Sequence, residues 1–293
     1  MTLPAAGGEK NAPPAALLGY RLRACMTPQI HLHILASGSK GNAAVVEGPG
    51  GSVLIDCGIS RKQLLERAAE LGLDMNRVVA VLVTHEHSDH VKGLSVFCNR
   101  FEGELYATAG TAGARKYLCE LPFTLVDHGD SFEVAGMTVQ CFPTSHDVCD
   151  PMGFRFQTAD DVLGYCTDTG CLTAEAYAAL RGARILALES NHDVKMLATG
   201  PYPSYLKERV GSEKGHLSND QAAAALRVLV TEDTETVVAM HLSAENNRPS
   251  VCVRTLAQAV GAESANDTFT EARTPDGFLT ICAAGQDSPM SIW

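Results

Sequence analysis

From residue 28 onward, short apolar runs alternate with turn residues, a pattern that predicts an α/β protein. Strands are expected at 30–36, 43–47, 52–55 and 78–83, then at 105–108, 137–142, 153–157, 162–166, 184–188 and 236–240. Helices are expected over 60–71 and 220–230. Ser60 with Gln63, and Ser218 with Gln221, have the spacing of a capping box, in which each side chain satisfies the other residue's backbone N–H. Many of the strands end in His, Asp or Glu. The chain therefore reads as a sheet sandwich that delivers polar side chains into loops along one edge.

Composition narrows this picture. A chain of 293 residues with 45% hydrophobic content supports one large domain with a substantial core. No run of about 18 apolar residues occurs, so no membrane span is expected, and a soluble cytoplasmic protein is the reading. Residues 1–27 are rich in Ala, Pro and Gly, and their apolar piece at 15–18 is too short for a secretory leader. They read as a flexible extension, with Met26 as an alternative start. A single folded domain is expected over 28–285, with a tail at 286–293. Ten cysteines without a C-x-x-C pair read as reduced, buried thiols, and Cys57 and Cys166, although beside candidate ligands, are not assigned to metal. The net charge of -11 argues against nucleic-acid binding over the whole surface, but leaves room for a local basic groove.

The run 78–84 stops at His85-Glu86-His87-Ser88-Asp89-His90, with several potential ligands packed into six residues. On a loop, His85 and His87 can turn toward one ion while Asp89 and His90 reach a second. Neutral imidazole combined with carboxylate suits zinc, and also manganese or iron.

This stretch resembles the H-x-H-x-D-H motif of the metallo-β-lactamase superfamily, and the resemblance implies an αββα four-layer sandwich of two mixed β-sheets flanked by helices. It also implies further ligands, which the chain offers in order. Asp56 matches the aspartate that supports the histidine loop from behind; His146, Asp168 and His241 match the third histidine, the bridging aspartate and the last ligand. By this resemblance His85, His87 and His146 hold one divalent ion, Asp89, His90 and His241 hold the other, and Asp168 bridges them. Such a pair can share a hydroxide and clamp the attacking and leaving oxygens.

Three later motifs select among hydrolases. Glu189-Ser190-Asn191-His192-Asp193, Gly215-His216-Leu217-Ser218-Asn219 and the stretch 241–247 are similar to the compact YycJ/WalJ family, as is Ser37-Gly38-Ser39-Lys40-Gly41-Asn42. That resemblance implies a 5′-to-3′ exonuclease acting on double-stranded DNA ends. Asp89, Asp168, His216 and Glu189 are the expected catalytic group, with Glu189 supporting a ligand or His216. Substrate contacts are expected from Ser37, Lys40, Asn42, Asn191, His192, Ser218 and Asn246. Lys195, Lys207, Arg209, Lys214 and Arg248 are candidates to track a phosphate backbone. Two alternatives stay open: a small-molecule thioesterase or lactonase, for which Glu189 and His216 have no purpose, and a non-catalytic protein that binds DNA ends or signals. The oligomeric state is not legible.

Overall fold

Strands buried on both faces read as unbroken apolar runs, and the run before the histidine loop is one of them. In the strand Val78–Leu82, Ala80 and Leu82 point into one core while Val78 and Val81 point into another. The computed structural model describes residues 29–293 and repeats this two-sided burial across two sheets. The extension expected at 1–27 lies outside the described residues.

The first sheet is built from β1 (His31–Ala36), β2 (Ala43–Gly48), β3 (Gly51–Ile55), β4 (Val78–Leu82), β5 (Glu104–Ala107) and β6 (Phe123–Leu125). The second takes β7 (Ser131–Val134), β8 (Met137–Pro143), β9 (Met152–Gln157), β10 (Val162–Cys166), β11 (Ile185–Glu189), β12 (Thr236–Met240), β13 (Glu263–Ser264), β14 (Glu271–Arg273) and β15 (Thr280–Ala283). A last strand, β16 (Met290–Ile292), returns to the first sheet. The orders are β16-β1-β2-β3-β4-β5-β6 and β13-β14-β15-β12-β11-β10-β9-β8-β7. Within them β3 to β6 run parallel, as do β10, β11, β12 and β15, so both sheets are mixed.

The helices are α1 (Arg61–Glu70), α2 (Ser88–Val91), α3 (Leu94–Cys98), α4 (Ala109–Gly113), α5 (Lys116–Cys119), α6 (Ala174–Leu180), α7 (Val194–Thr199), α8 (Ser204–Val210), α9 (Asn219–Leu229) and α10 (Pro249–Val260). Leu64, Ala68, Leu94 and Phe97 cover the outer face of the first sheet. Leu180, Leu226, Val253 and Leu256 cover that of the second. Between the sheets Leu32, Ile34, Val53 and Ile55 meet Phe154, Phe156, Tyr165 and Val238. The result is the expected αββα sandwich. Both capping boxes form, at the starts of α1 and α9.

The C-terminal segment departs from expectation. The sequence pattern sets residues 286–293 apart as a tail, yet β16 pairs with β1 through Leu32 to Ile292 and Ile34 to Met290. A buried ion pair holds this corner. Asp161 accepts the backbone N–H of Ile30 at 2.9 Å and the Arg184 Nε at 2.7 Å, and Arg184 also donates to the Ile30 and Trp293 carbonyls at 2.7 and 2.9 Å. Burial alone would raise the Asp161 pKa. Arg184 and the backbone donors outweigh it and hold the carboxyl below its usual range. No helix among the described residues is long and apolar enough to cross a membrane.

Candidate metal centre

Six strand ends converge on one rim of the sandwich. Asp56 follows β3, the histidine loop follows β4, His146 follows β8, Asp168 follows β10, Glu189 closes β11 and His241 follows β12. Asp56, Asp168 and His241 each take a left-handed backbone, with φ of 58°, 54° and 54°. That conformation, uncommon outside glycine, turns the chain sharply at the strand's end. The histidine loop is held by the β1–β2 loop and the β3–α1 turn: Asn42 N–H donates to the Asp89 carbonyl at 2.7 Å and Cys57 N–H to that of His90 at 2.8 Å. A β-carbon on Gly58 would fall 1.6 Å from the Asp89 carbonyl oxygen, so this approach requires glycine.

The convergence groups potential ligands. Donor atoms of His85, His87 and His146 lie within 4.8 Å of one another, as do those of Asp89, His90 and His241. Asp168 reaches both sides, joining His85 with His90 and also His241 with Glu189 and His216. Each buried imidazole uses one nitrogen behind the site. His90 Nδ1 bonds Asp56 at 2.7 Å, His85 Nδ1 bonds the Thr84 hydroxyl at 3.0 Å, His146 Nδ1 bonds the Gly215 carbonyl at 2.9 Å, and His241 Nδ1 bonds Glu189 at 3.1 Å. His85 Nε2, His241 Nε2 and Asp168 Oδ2 are buried with no hydrogen-bond partner among the described residues. Unpaired buried polar atoms are costly, and three facing one cluster fit divalent metal ions.

Electrostatics divide the cluster in two. Burial holds His85 well below its ordinary pKa and lowers those of His87 and His146, favouring the neutral imidazole that binds metal. Burial pushes His90 and His241 the same way, but Asp168 with Asp56 outweighs it at His90, and Asp168 with Asp89 and Glu189 raises His241 to about 10. Asp168 sits well below the usual carboxylate range: burial opposes this, and His241 and His90 prevail. Glu189 is lowered to about 2, His216 and His241 overcoming its burial. The negative charge on this side is what a divalent cation meets.

Glu189 ties the parts together. One carboxylate oxygen accepts His216 Nδ1 at 2.7 Å and His241 Nδ1 at 3.1 Å, and the other accepts the backbone N–H of Thr169 and Leu217 at 2.9 and 3.1 Å. Above lies a cleft of about 220 Å³, lined by His87, Asp89, His146, Asp168, His216 and His241. Tyr202, Leu206 and Arg209 wall it on the α8 side, and Ser39 also lines it.

Several expected substrate contacts prove to be buried and occupied. Ser37 Oγ accepts the His241 N–H at 2.8 Å; Asn42 closes its own loop by accepting the Gly38 N–H at 2.8 Å, while its amide lies 3.0 Å from His90 Nε2. Asn191 Nδ2 donates to the His241 carbonyl at 2.8 Å, and Ser218 Oγ caps α9. These four shape the site from behind, because their polar atoms are spent on the backbone and, for Asn42 and Ser218, on the side chains of His90 and Gln221. His192 and Asn246 are buried, each with one unpartnered atom, and Lys40 is exposed. Among the basic candidates, Lys207 donates to the Ala198 carbonyl and Arg248 to those of Ala244 and Asn247, whereas Arg209 lines the cleft.

Two residues escaped the sequence reading. Glu86, buried between the candidate ligands His85 and His87, accepts the Cys149 N–H at 2.9 Å and pins the His146 loop to the histidine loop. Asp147 lies 3.7 Å from His87 Nε2 and 3.6 Å from His146 Nε2 and pairs with Arg209. Position beside His146 was the only hint of Asp147, since Arg209 is remote in sequence. No cysteine joins a ligand cluster among the described residues. Cys57, Cys141, Cys166, Cys252 and Cys282 are buried as expected, but Cys119 and Cys149 are exposed; Cys25 lies outside the described residues.

Residues 52–242 match the family model described as the beta-lactamase superfamily domain. The chain belongs to this superfamily, and within it to the YycJ/WalJ-like group, and is a metal-dependent hydrolase. It is 34% identical over 235 residues to exodeoxyribonuclease YycJ of Bacillus anthracis, which covers 79% of this chain and 89% of that one. It is likewise 34% identical over 256 residues to exodeoxyribonuclease WalJ of Streptococcus pneumoniae serotype 2, covering 83% and 95%. The metallo-beta-lactamase fold protein YhfI from Bacillus subtilis superposes with a TM-score of 0.64 at 12% identity, over 90% of this chain and 100% of that one, a likeness of fold alone.

Proposed function

We propose that the chain is a dinuclear metal-dependent nuclease, a cytoplasmic 5′-to-3′ exonuclease acting on the ends of double-stranded DNA. His85, His87 and His146 would hold one divalent ion, Asp89, His90 and His241 the other, and Asp168 both. The donor set suits zinc or manganese, with iron as a further fit. Bound, the ions would neutralise charge at a phosphate and lower the pKa of water.

The observation that carries a phosphodiester substrate is the Glu189–His216 pair at 2.7 Å, set against Asp168, with buried Glu189 behind and His216 lining the cleft. Glu189 fixes the imidazole through Nδ1, leaving Nε2 to meet a phosphate oxygen or to pass a proton to the departing 3′ oxygen. A thioesterase or lactonase has no use for this second imidazole. Relatives named exodeoxyribonucleases, matched along nearly their whole length, support the same reading.

The test is an end-labelled duplex incubated with protein and manganese or zinc. Stepwise mononucleotide release from the 5′ end is expected, stopped by chelator and abolished in Asp168→Ala. No release together with thioester turnover would favour a small-molecule hydrolase. DNA-end binding without turnover would favour a non-catalytic role.

A further inference from the structure

Arg209 sits on α8 at the wall of the metal cleft, with its side chain about half exposed (54%). Its Nε donates to Asp147 Oδ2, while Asp147 Oδ1 lies against His87 and His146. The guanidinium is thus one carboxylate removed from the metal ligands. It is too far back to be a ligand and near enough to meet a group attached to the reacting phosphate. Nε is the only guanidinium nitrogen with a side-chain or backbone partner among the described residues, so both amino groups remain for an anion.

Two of the other basic candidates do not offer this. Lys207 and Arg248 are turned onto backbone carbonyls, and neither lines the cleft. Tyr202 and Leu206, on the same wall, add a ring and an apolar side chain of the kind a nucleobase packs against. A planar cation, an aromatic ring and an imidazole-carboxylate floor together match one terminal nucleotide better than the middle of a strand.

We propose that Arg209, aimed by Asp147, binds the terminal 5′-phosphate of the nucleic acid, and that α8 makes the cleft selective for phosphorylated ends. The inference rests on the nuclease reading and names the end group that reading leaves open. Asp147 is a positioning residue, since it acts on substrate through the guanidinium it holds. Arginine suits the task because its fork gives paired, charge-assisted bonds to phosphate oxygens, which lysine does not reproduce.

The experiment compares matched duplexes carrying a 5′-phosphate or a 5′-hydroxyl. Binding is measured by fluorescence anisotropy in chelator, and nucleotide release is measured with manganese. Wild-type protein should favour the phosphorylated end in both readouts, by about tenfold, as expected for a charge-assisted pair. Arg209→Ala should bring the ratio near one, and Arg209→Lys should restore it only in part. Tyr202→Ala should weaken both duplexes together and keep the ratio. A wild-type preference that persists in Arg209→Ala, or no wild-type preference despite release, overturns this inference and leaves the nuclease reading standing. No release from either duplex by wild-type protein overturns both. Circular dichroism melting of each variant identifies a loss of fold, and Arg209→Lys, which keeps the charge on α8, decides the matter if Arg209→Ala fails to fold.

Discussion

Asp56 is fully buried and accepts three hydrogen bonds, from Thr84 N–H and Thr84 Oγ–H, both at 2.8 Å, and from His90 Nδ1 at 2.7 Å. Because the Thr84 hydroxyl spends its proton on Asp56, its oxygen is left to accept from His85 Nδ1. One carboxylate therefore fixes the Nδ1 side of two histidines, so that Nε2 is the nitrogen each offers to a metal ion. Replacing it with alanine strands three donors, each costing about 1–2 kcal/mol when unsatisfied, for a total of roughly 3–6 kcal/mol. At about 2–4 °C per kcal/mol for a domain of this size, metal-free Asp56→Ala should melt roughly 6–24 °C below wild type. Asp56→Asn separates stability from ligation. Its carbonyl can still accept from Thr84, but its amide meets His90 Nδ1 with a donor and forces the proton onto Nε2. Metal affinity should then fall by about 10- to 100-fold with a smaller loss in melting temperature. Isothermal titration of the stripped protein with manganese or zinc reads the first effect, and circular dichroism melting reads the second. Wild-type metal affinity in Asp56→Asn would refute the tautomer argument.

Three further outcomes follow from the geometry. Asp161 is held below its usual pKa by Arg184 and backbone donors, so its contribution is present above the unfolded value near 3.8 and is lost as pH falls through the folded one. Asp161→Asn should flatten the acid limb of the stability curve below about pH 4, and an acid-unfolding profile identical to wild type would count against the clasp. Gly58→Ala should fail to accumulate as folded protein, because the new methyl would meet the Asp89 carbonyl at 1.6 Å; soluble yield and melting equal to wild type would contradict that packing. Ser218→Ala removes a helix cap, which costs about 1 kcal/mol. It should lower the melting temperature by a few degrees without altering KM for DNA, and a selective rise in KM would return Ser218 to the substrate.

Much of the architecture was legible because its strands are buried on both faces and so stand out as short apolar runs. The candidate ligands were legible because β4, β8, β10 and β12 each end shortly before one or more of them, and β3 ends just before Asp56 behind the histidine loop. The C-terminal quarter was less so. α10 carries a Pro at its first turn and a left-handed Gly261 at its end, signals that its sequence does offer. β16 has three residues, and its pairing with β1 comes from contacts across the whole fold, which no local pattern encodes. The same limit applies at the site. Ser37, Asn42 and Asn191 sit in polar motifs that suit a substrate, yet their bonds go to the backbone of His241, Gly38 and His241 respectively. Asp147 gains meaning only with Arg209, from a different helix.

The left-handed turns at Asp56, Asp168 and His241 also bear on how such a protein responds to selection. Each holds an ordinary residue in a conformation that costs about 1 kcal/mol or more relative to glycine. The ligand rim is thus a reservoir of frustration that the sandwich behind it tolerates. A mutant library screened for heat resistance alone would relax Asp168 and His241 early, toward glycine or asparagine, while keeping Asp56, whose three hydrogen bonds outweigh its strain, and would enrich robust sandwiches that bind metal poorly. Screening for retained metal alongside heat resistance would confine the gains to the layers behind the rim.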